Sequence, residues 1–495
     1  MSEKQKVAVI GSGIGGLASA IRFAAKGFQV EVFEQAAQAG GKINELRMEG
    51  FRFDTGPSLF TFPDLTTELF LLCGENPEEH FRYHPVETSC KYFWEDGTVV
   101  NAWQKPEAFA AEIEQVTGLN RRKITAYLQE SEALYDLAGE SFLFYSLHKA
   151  SNFLRLQFLK TIIHSLKLDP FRTMHKRNRK WLSHPKVVQL FDRYATYNGS
   201  SPYKTPATLR MIAHLEHNMG TFFPEKGMYS IVESLTALAL RQGITFHFNA
   251  PVQKVNTRDG KVTGIRVNDQ DFSFDIVVSD VDVVNFYRRL LPQIPIPPKQ
   301  LTLERSSSAV IFYWGVNHTF PDLKLHNILF SEDYPGEFNH LFNTKTISPD
   351  PTVYLFISSK MVKGDAPGGS ENWYVMINAP ENTGQNWDQM LKETRRNILE
   401  KIKRTLNIDL ESYIVAEAMA DPRSIEKETA SFRGSLYGLS SNNMLSAFNR
   451  HPNFRNKIKN LYFAGGSVHP GGGIPLSLAS AKIIDKEIPN LKENL

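Results

Sequence analysis

Cysteine is almost absent: Cys73 and Cys90 are the only two in 495 residues. There is no CxxC pair, which argues against a zinc knuckle, an iron–sulfur cluster or a disulfide framework, and no other metal site is expected. Two thiols suit a reducing compartment. No apolar run approaches the ~18 residues of a membrane-spanning helix. The N-terminal MSEKQK leads straight into VAVIGSG, too short and too glycine-broken an apolar stretch for a secretory signal. Charge of one sign is missing too: 56 Lys+Arg against 53 Asp+Glu leave a net +3, too little for a global nucleic-acid field. Internal repeats, long low-complexity tracts and an evident acid–base constellation are all lacking. Apolar residues, by contrast, are plentiful, at 42% with 34 Phe. They fit a large core and a large apolar cavity equally well. The length suggests about three domains or one large two-domain unit.

The N-terminal segment is the most informative. Lys6 to Ile10 is short, branched and apolar, as in a strand buried on both faces of a parallel sheet. Gly11, Gly13 and Gly16 follow as G-x-G-x-x-G, then a helix-forming stretch to Gly27, then the strand-like FQVEVFE ending in Glu34. This order predicts a dinucleotide site. The first glycine permits the tight turn, the second lets the backbone approach a pyrophosphate, and the third lets helix pack on strand. Glu34 stands where a carboxylate takes the adenosine ribose hydroxyls. Gly40 and Gly41 form a second tight turn beside Lys42, able to add N–H groups and a cation to the phosphates. A nicotinamide domain would continue with strand and helix here; the insertion favours FAD.

Downstream, residues 105–140 read as helix, with Ala108, Ile113, Ile124, Leu128 and Leu134 apolar. Residues 141–182 combine large apolar side chains at helical spacing, including Phe153, Leu156, Leu159, Ile162, Ile163 and Leu166, with a basic excess from Lys149 to Lys180 that includes Lys167. Such a basic amphipathic stretch predicts a helix lying on a membrane surface; a solvated basic face is the plainer alternative. From 224 to 281 helix and strands return, with Asp259-Gly260 as a hairpin turn. The domains are therefore discontinuous: a cofactor-binding domain from 1–75, 224–290 and 421–495, a substrate domain from 76–140 and 291–420, and a helical, basic, membrane-binding region at 141–223. SAVIFYWGV, TVYLFIS and NWYVMINA read as strands, PDLKLHN and GDAPGGSEN as loops, and 387–407 as a charged surface helix. Near the C-terminus a strand at 461–464 runs into GGSVHPGGGIP, whose glycines suit close approach to a flat or anionic group, with Pro475 at a helix start.

With these pieces in place, the chain resembles the bacterial phytoene desaturase-like carotenoid desaturases. The matching landmarks run nearly end to end: the first glycine motif, GGK at 40–42, FDTGPS at 53–58, FPEKGMYSIVESL at 223–235, DIVVSD at 275–280 and LYFAGGSVHPGGGIP at 461–475. Lys42 stands where Arg is common in phytoene-using members, and FDTGPSLFTFP with YFWEDGT looks closer to the hydroxycarotenoid 3,4-desaturase branch. The resemblance implies an α/β fold: a Rossmann-like FAD-binding domain of the glutathione reductase/amine oxidase type, a discontinuous mixed-sheet substrate domain and a helical membrane-facing region. It implies FAD contacts at Gly11, Gly13, Gly15, Gly16, Glu34, Gly40, Gly41, Lys42, Gly56, Pro57, Val252, Gly465, Gly466, His469, Gly473 and Ile474.

The implied reaction is formation of a C=C bond in a long polyene, by hydride transfer to the flavin N5 and loss of a neighbouring proton. The branch implies 3,4-desaturation of a 1-hydroxylated acyclic or monocyclic carotenoid. The positive charge would spread along the polyene, so a weak base or water suffices; His469, Glu140 and Asp136 are candidates. Exposing some 40 carbons to water at ~0.8 kcal/mol per CH₂ costs tens of kcal/mol, so the substrate tunnel should open at lipid, at residues 141–182. Phe60, Phe62, Tyr92, Trp94, Phe222 and Tyr313 are tunnel-lining candidates. The protein is expected to be cytoplasmic, peripheral on the cytoplasmic membrane face, with oxygen or a quinone as electron acceptor and no nucleic-acid partner. Competing readings are a phytoene desaturase, a carotenoid isomerase or saturase, a flavin amine or protoporphyrinogen oxidase, and an FAD-free prenyl-lipid escort protein.

Overall fold

Five segments far apart in sequence assemble one parallel sheet. Its spatial order is Thr245–His247, Gln29–Phe33, Lys6–Ile10, Ile276–Ser279 and Leu461–Phe463. The computed structural model describes residues 5–164 and 168–491. The central strand is covered on both faces, with Val7, Ala8 and Val9 fully buried, which is why it has no polar alternation. The helix Ile14–Ala25 follows the first strand, and a Cβ at Gly16 would collide with the Gly11 carbonyl. Only glycine lets helix and turn pack that closely.

A second, seven-stranded sheet has the order Ile414–Ala420, Ser308–Val316, Glu371–Ala379, Val353–Phe356, His326–Leu329, Thr88–Phe93 and Val99–Trp103. Its pairs are antiparallel except His326–Leu329 with Thr88–Phe93. The 20-residue helix Trp387–Leu406 is not merely a surface helix, because Trp387, Leu391, Ile398 and Ile402 are buried against this sheet. A smaller three-stranded meander contains the expected hairpin: Arg258 pairs with Lys261, and Asp259 and Gly260 both take positive φ, 51° and 70°.

Two further expectations change. PDLKLHN is not all loop: His326 and Asn327 begin a buried strand opposite Phe356 and Leu355. They are tolerated there because their side chains find local partners, Asn327 with the Lys324 backbone and His326 with Tyr354. Nor is 141–182 one amphipathic helix. It breaks into a short turn at Ala150–Leu154 and helices at Leu156–Ile163 and Met174–Leu182. Leu166 and Lys167 lie outside the described residues. Part of the basic excess is neutralised by acids from elsewhere, Lys149 by Glu487 and Arg177 by Glu130. Among the described residues no helix is long and apolar enough to cross a membrane.

Candidate active site

The C-terminal ends of the parallel strands open into a cavity of about 1440 Å³, larger than the roughly 300–1,000 Å³ of a pocket for one small ligand. Ligands of open α/β sheets bind at this edge. Gly11, Gly13, Gly15, Glu34, Gly40, Gly41, Lys42, Gly56, Pro57, Val252, Gly466, His469, Gly473 and Ile474 all line it. Gly16 and Gly465 do not. Gly16 packs behind the wall on Gly11, and Gly465 sits against Asp280 while its amide donates to Ser480 Oγ at 2.8 Å.

Two helices, Ile14–Ala25 and Ile474–Asp485, point their N-termini into this space. Their cap residues are Gly13 and Gly473, which have no side chain to satisfy the first amides. Asp280 takes the Gly16 amide of the first helix, and the remaining first-turn N–H groups with the helix dipole favour a negatively charged occupant. Glu34 closes the second strand. Its carboxylate accepts from the Ser12 amide and hydroxyl, both at 2.8 Å, and from the Ala36 amide at 2.9 Å. That orientation is fixed before any ligand arrives. Lys42 Nζ donates to the Leu436 carbonyl at 2.7 Å; burial lowers its pKa, opposed by the nearby Asp282 and Asp280 carboxylates. Gly56 has φ 95°, and a Cβ there would strike the Lys42 carbonyl, so the second glycine-rich segment lies flush with the first. Two helix N-termini with glycine caps, a held carboxylate and a flush glycine wall fit FAD.

Asp280 was not foreseen as a site residue. It follows the strand Ile276–Ser279 and stands against Gly13, Gly15 and Gly465. Desolvation raises its pKa to about 7, with Glu34 adding repulsion while a hydrogen bond from the Gly16 backbone and the charge of Lys42 oppose the shift. Its position one residue beyond a parallel strand was the available signal.

The catalytic candidates separate. His469 lines the cavity, buried, with Nε2 donating to the Tyr145 carbonyl at 3.0 Å. Burial lowers its pKa to about 3, so the ring is neutral and a poor base. Asp136 and Glu140 do not reach the cavity: both are exposed on the outer side of the helix Arg121–Phe144. Helical spacing put them there, because Leu134 and Ala138 take the buried face.

Of the tunnel candidates, only Tyr313 lines the cavity. Phe60 packs edge-on against Phe81 and Tyr83, Phe62 against Tyr135 and Phe144, and Phe222 against Tyr83. Tyr92 and Trp94 stack on Phe330. These five fill core between elements. The apolar wall comes instead from Phe142, Leu143, Leu168, Leu209, Met211 and Leu215. Phe142 meets Phe448, and Met444 and Phe448 are both exposed where they line the cavity. Elsewhere in the helical region Leu156, Ile163 and Phe171 are 82%, 76% and 75% exposed. The deep polar wall includes Arg193, whose guanidinium pairs with the buried Glu216 at 3.0 Å and bonds the Tyr92 and Tyr197 hydroxyls. No local sequence signal marks this cluster, because its members join only in three dimensions.

Residues 14–483 match the family described as flavin containing amine oxidoreductase. A 1-hydroxycarotenoid 3,4-desaturase from Flavobacterium sp. (strain P99-3) is 49% identical over 98% of this chain and 99% of that protein. A 4,4'-diapolycopene oxygenase from Methylomonas sp is 30% identical over 99% of each chain. Among solved structures, cyclohexylamine oxidase from Brevibacterium oxydans IH-35A is alike in fold, with a TM-score of 0.61 at 15% identity, over 98% of this chain and 99% of that one.

Proposed function

The chain belongs to the flavin containing amine oxidoreductases, in their carotenoid-desaturase branch, and we propose from this that it introduces the 3,4 double bond into a 1-hydroxylated carotenoid. It is an FAD-dependent oxidoreductase. One observation carries the substrate reading: a single cavity joins the dinucleotide cradle at Glu34 to an apolar wall of Phe142, Leu209 and Leu215 that includes the exposed Met444 and Phe448. Bound FAD supplies the two-electron oxidant for the C–H bond. The chain supplies position and dryness. Tyr313, Tyr374 and Met376 line the cavity from the seven-stranded sheet, while Leu209, Ile212 and Leu215 line it from the helical region. Between them a polyene is held straight and water is kept out, so one C–H bond is presented repeatedly at one place. A residue acting as strong base is not needed, consistent with the neutral His469.

The segments 1–75, 224–290 and 421–495 form the cofactor domain in this reading, and 76–140 with 291–420 the substrate domain. In the same reading the exposed Leu156, Ile163 and Phe171, with the exposed lysines Lys160 and Lys176, rest peripherally on anionic lipid, from which the substrate enters directly. Oxygen or a membrane quinone takes the electrons. The test is to offer FAD-loaded protein liposomes containing either a 1-hydroxylated carotenoid or phytoene, and to read products by chromatography and visible spectra. A red-shifted product from the hydroxylated substrate alone is expected. Conversion of phytoene would place the protein among the early desaturases, and isomerisation without oxidation would make it an isomerase.

A further inference from the structure

The cavity carries a polar relay that the reaction outlined above leaves unused. Ser58 follows Gly56 and Pro57 in the wall, and its Oγ lies 2.7 Å from the Tyr354 hydroxyl. Tyr354, also in the wall, is 2.8 Å from His326 Nδ1. His326 sits behind, fully buried in its strand, and its Nε2 has no hydrogen-bond partner among the described residues.

That lone nitrogen sets the direction of the relay. A buried N–H without an acceptor is rarer and costlier than a buried acceptor without a donor. The proton therefore belongs on Nδ1, which donates to Tyr354; Tyr354 donates to Ser58, and the Ser58 hydroxyl hydrogen is left over for the cavity. Burial holds the His326 pKa down at about 3, so the ring stays neutral and the direction does not change through the physiological range. The neighbouring Arg193–Glu216 pair does not compete for the same role. Its hydrogen bonds are largely taken up internally, Glu216 by Arg193, Tyr194 and Tyr197, and the guanidinium by Glu216, Tyr92 and Tyr197.

We propose that Ser58, aligned by Tyr354 and His326, is the subsite that recognises a hydroxyl on the end of the substrate. This rests on the desaturase reading above. In a 1-hydroxylated chain oxidised between carbons 3 and 4, the hydroxyl carbon is two bonds from the reacting pair. Its partner must therefore stand in the same wall as the cofactor, and Ser58 is two residues from Gly56. Donation from Ser58 to the hydroxyl oxygen fixes the end of the chain and so sets which C–H bond is presented. A hydrocarbon end would leave the serine unpaired in an apolar cavity, and sites built to bond a hydroxyl discriminate strongly against its absence. Ser58 touches substrate in this proposal; Tyr354 and His326 are positioning residues.

The experiment compares FAD-loaded wild type, Ser58→Ala and Tyr354→Phe in liposomes holding either a 1-hydroxylated acyclic carotenoid or the same chain without the hydroxyl, measuring kcat and KM separately. Wild type is expected to prefer the hydroxylated chain by at least about 100-fold in kcat/KM. Ser58→Ala should lose about 10- to 100-fold on that substrate, while the non-hydroxylated chain, no longer facing an unpaired serine, is used as well or better, so that the preference falls by at least that factor. Tyr354→Phe should lose part of it. The flavin spectrum verifies loading; if Ser58→Ala fails to hold FAD, Tyr354→Phe decides. Retention of the full preference by Tyr354→Phe and by loaded Ser58→Ala overturns the subsite while leaving the desaturase intact. Equal use of both chains by wild type does the same. Turnover of neither chain by wild type overturns the desaturase reading, and the subsite with it.

Discussion

The carboxylate of Asp54 accepts hydrogen bonds from the backbone amides of Met228 at 2.8 Å and Tyr229 at 2.9 Å. Two sequence landmarks, FDTGPS and FPEKGMYS, thus meet at one buried side chain. Arg52 completes the junction, donating to Asp54 at 2.7 Å and reaching Asp365 at 3.2 Å. The junction ties the strand leading to Gly56 to the start of the helix Ser230–Arg241. The cavity wall at Thr55 and Gly56 therefore depends on a contact made behind it.

Replacing Asp54 by Ala should strip Arg52 of one buried partner and leave two amides without acceptors. Breaking such a buried pair costs roughly 3–5 kcal/mol. A thermal melt of Asp54→Ala should show the loss, together with weaker FAD retention on a desalting column. An unchanged melt would mean that the junction is not structural.

Asp280 gives a pH prediction for the FAD-free protein. Its pKa is raised to about 7 in the fold, chiefly by desolvation, against about 3.9 in an unfolded chain. Between those values the folded protein binds the extra proton. The stability from this group is fully present below about pH 4, falls as pH rises, and is lost above about pH 7, with a slope of at most roughly 1.4 kcal/mol per unit. Melting temperatures measured from pH 4 to 8 should carry this decline in wild type. Asp280→Asn should flatten that component, and an identical profile in the variant would remove Asp280 as its source.

For His469 the expected result is an absence. With its pKa at about 3, it does not titrate across the working range. The pH profile of kcat should keep its shape in His469→Gln, even where the lost packing lowers its height. A limb near neutrality that vanishes in the variant would reinstate His469 as a base.

The legible part of the sequence was the part encoded by short-range geometry. Gly11, Gly13, Gly16 and Glu34 announce their site because turn, helix start and strand end lie within one βαβ unit. Ser308–Val316 and Ser230–Arg241 were readable because one has an unbroken apolar run and the other a regular apolar period. Tunnel residues were not. Phe60, Tyr92 and Trp94 have the composition of a tunnel wall and the location of core, since an aromatic side chain reads the same in both. PDLKLHN reads as loop because the polar neighbours of His326 hide a strand whose polarity is satisfied internally. Asp136 and Glu140 failed for a simpler reason: an acid on a helix with apolar neighbours normally faces water, and both do.

The exposed apolar side chains of the helical region make the final prediction. Leu156, Ile163 and Phe171 are 82%, 76% and 75% exposed, and large apolar side chains so exposed within one region of the chain favour a surface to cover them. If lipid covers them, each contributes up to roughly 1.5–3 kcal/mol on burial, less where insertion is shallow. The triple variant Leu156→Ser, Ile163→Ser, Phe171→Ser should then co-sediment with anionic vesicles at least about 10-fold more weakly than wild type, while its melt is unchanged because none of the three is in the core. Raising salt should weaken the remainder, since Lys160 and Lys176 act through screened charge. Turnover of substrate carried in vesicles should fall in step with vesicle binding, whereas turnover of substrate dispersed in detergent should not. A variant that keeps wild-type vesicle binding would show that these side chains face something other than lipid.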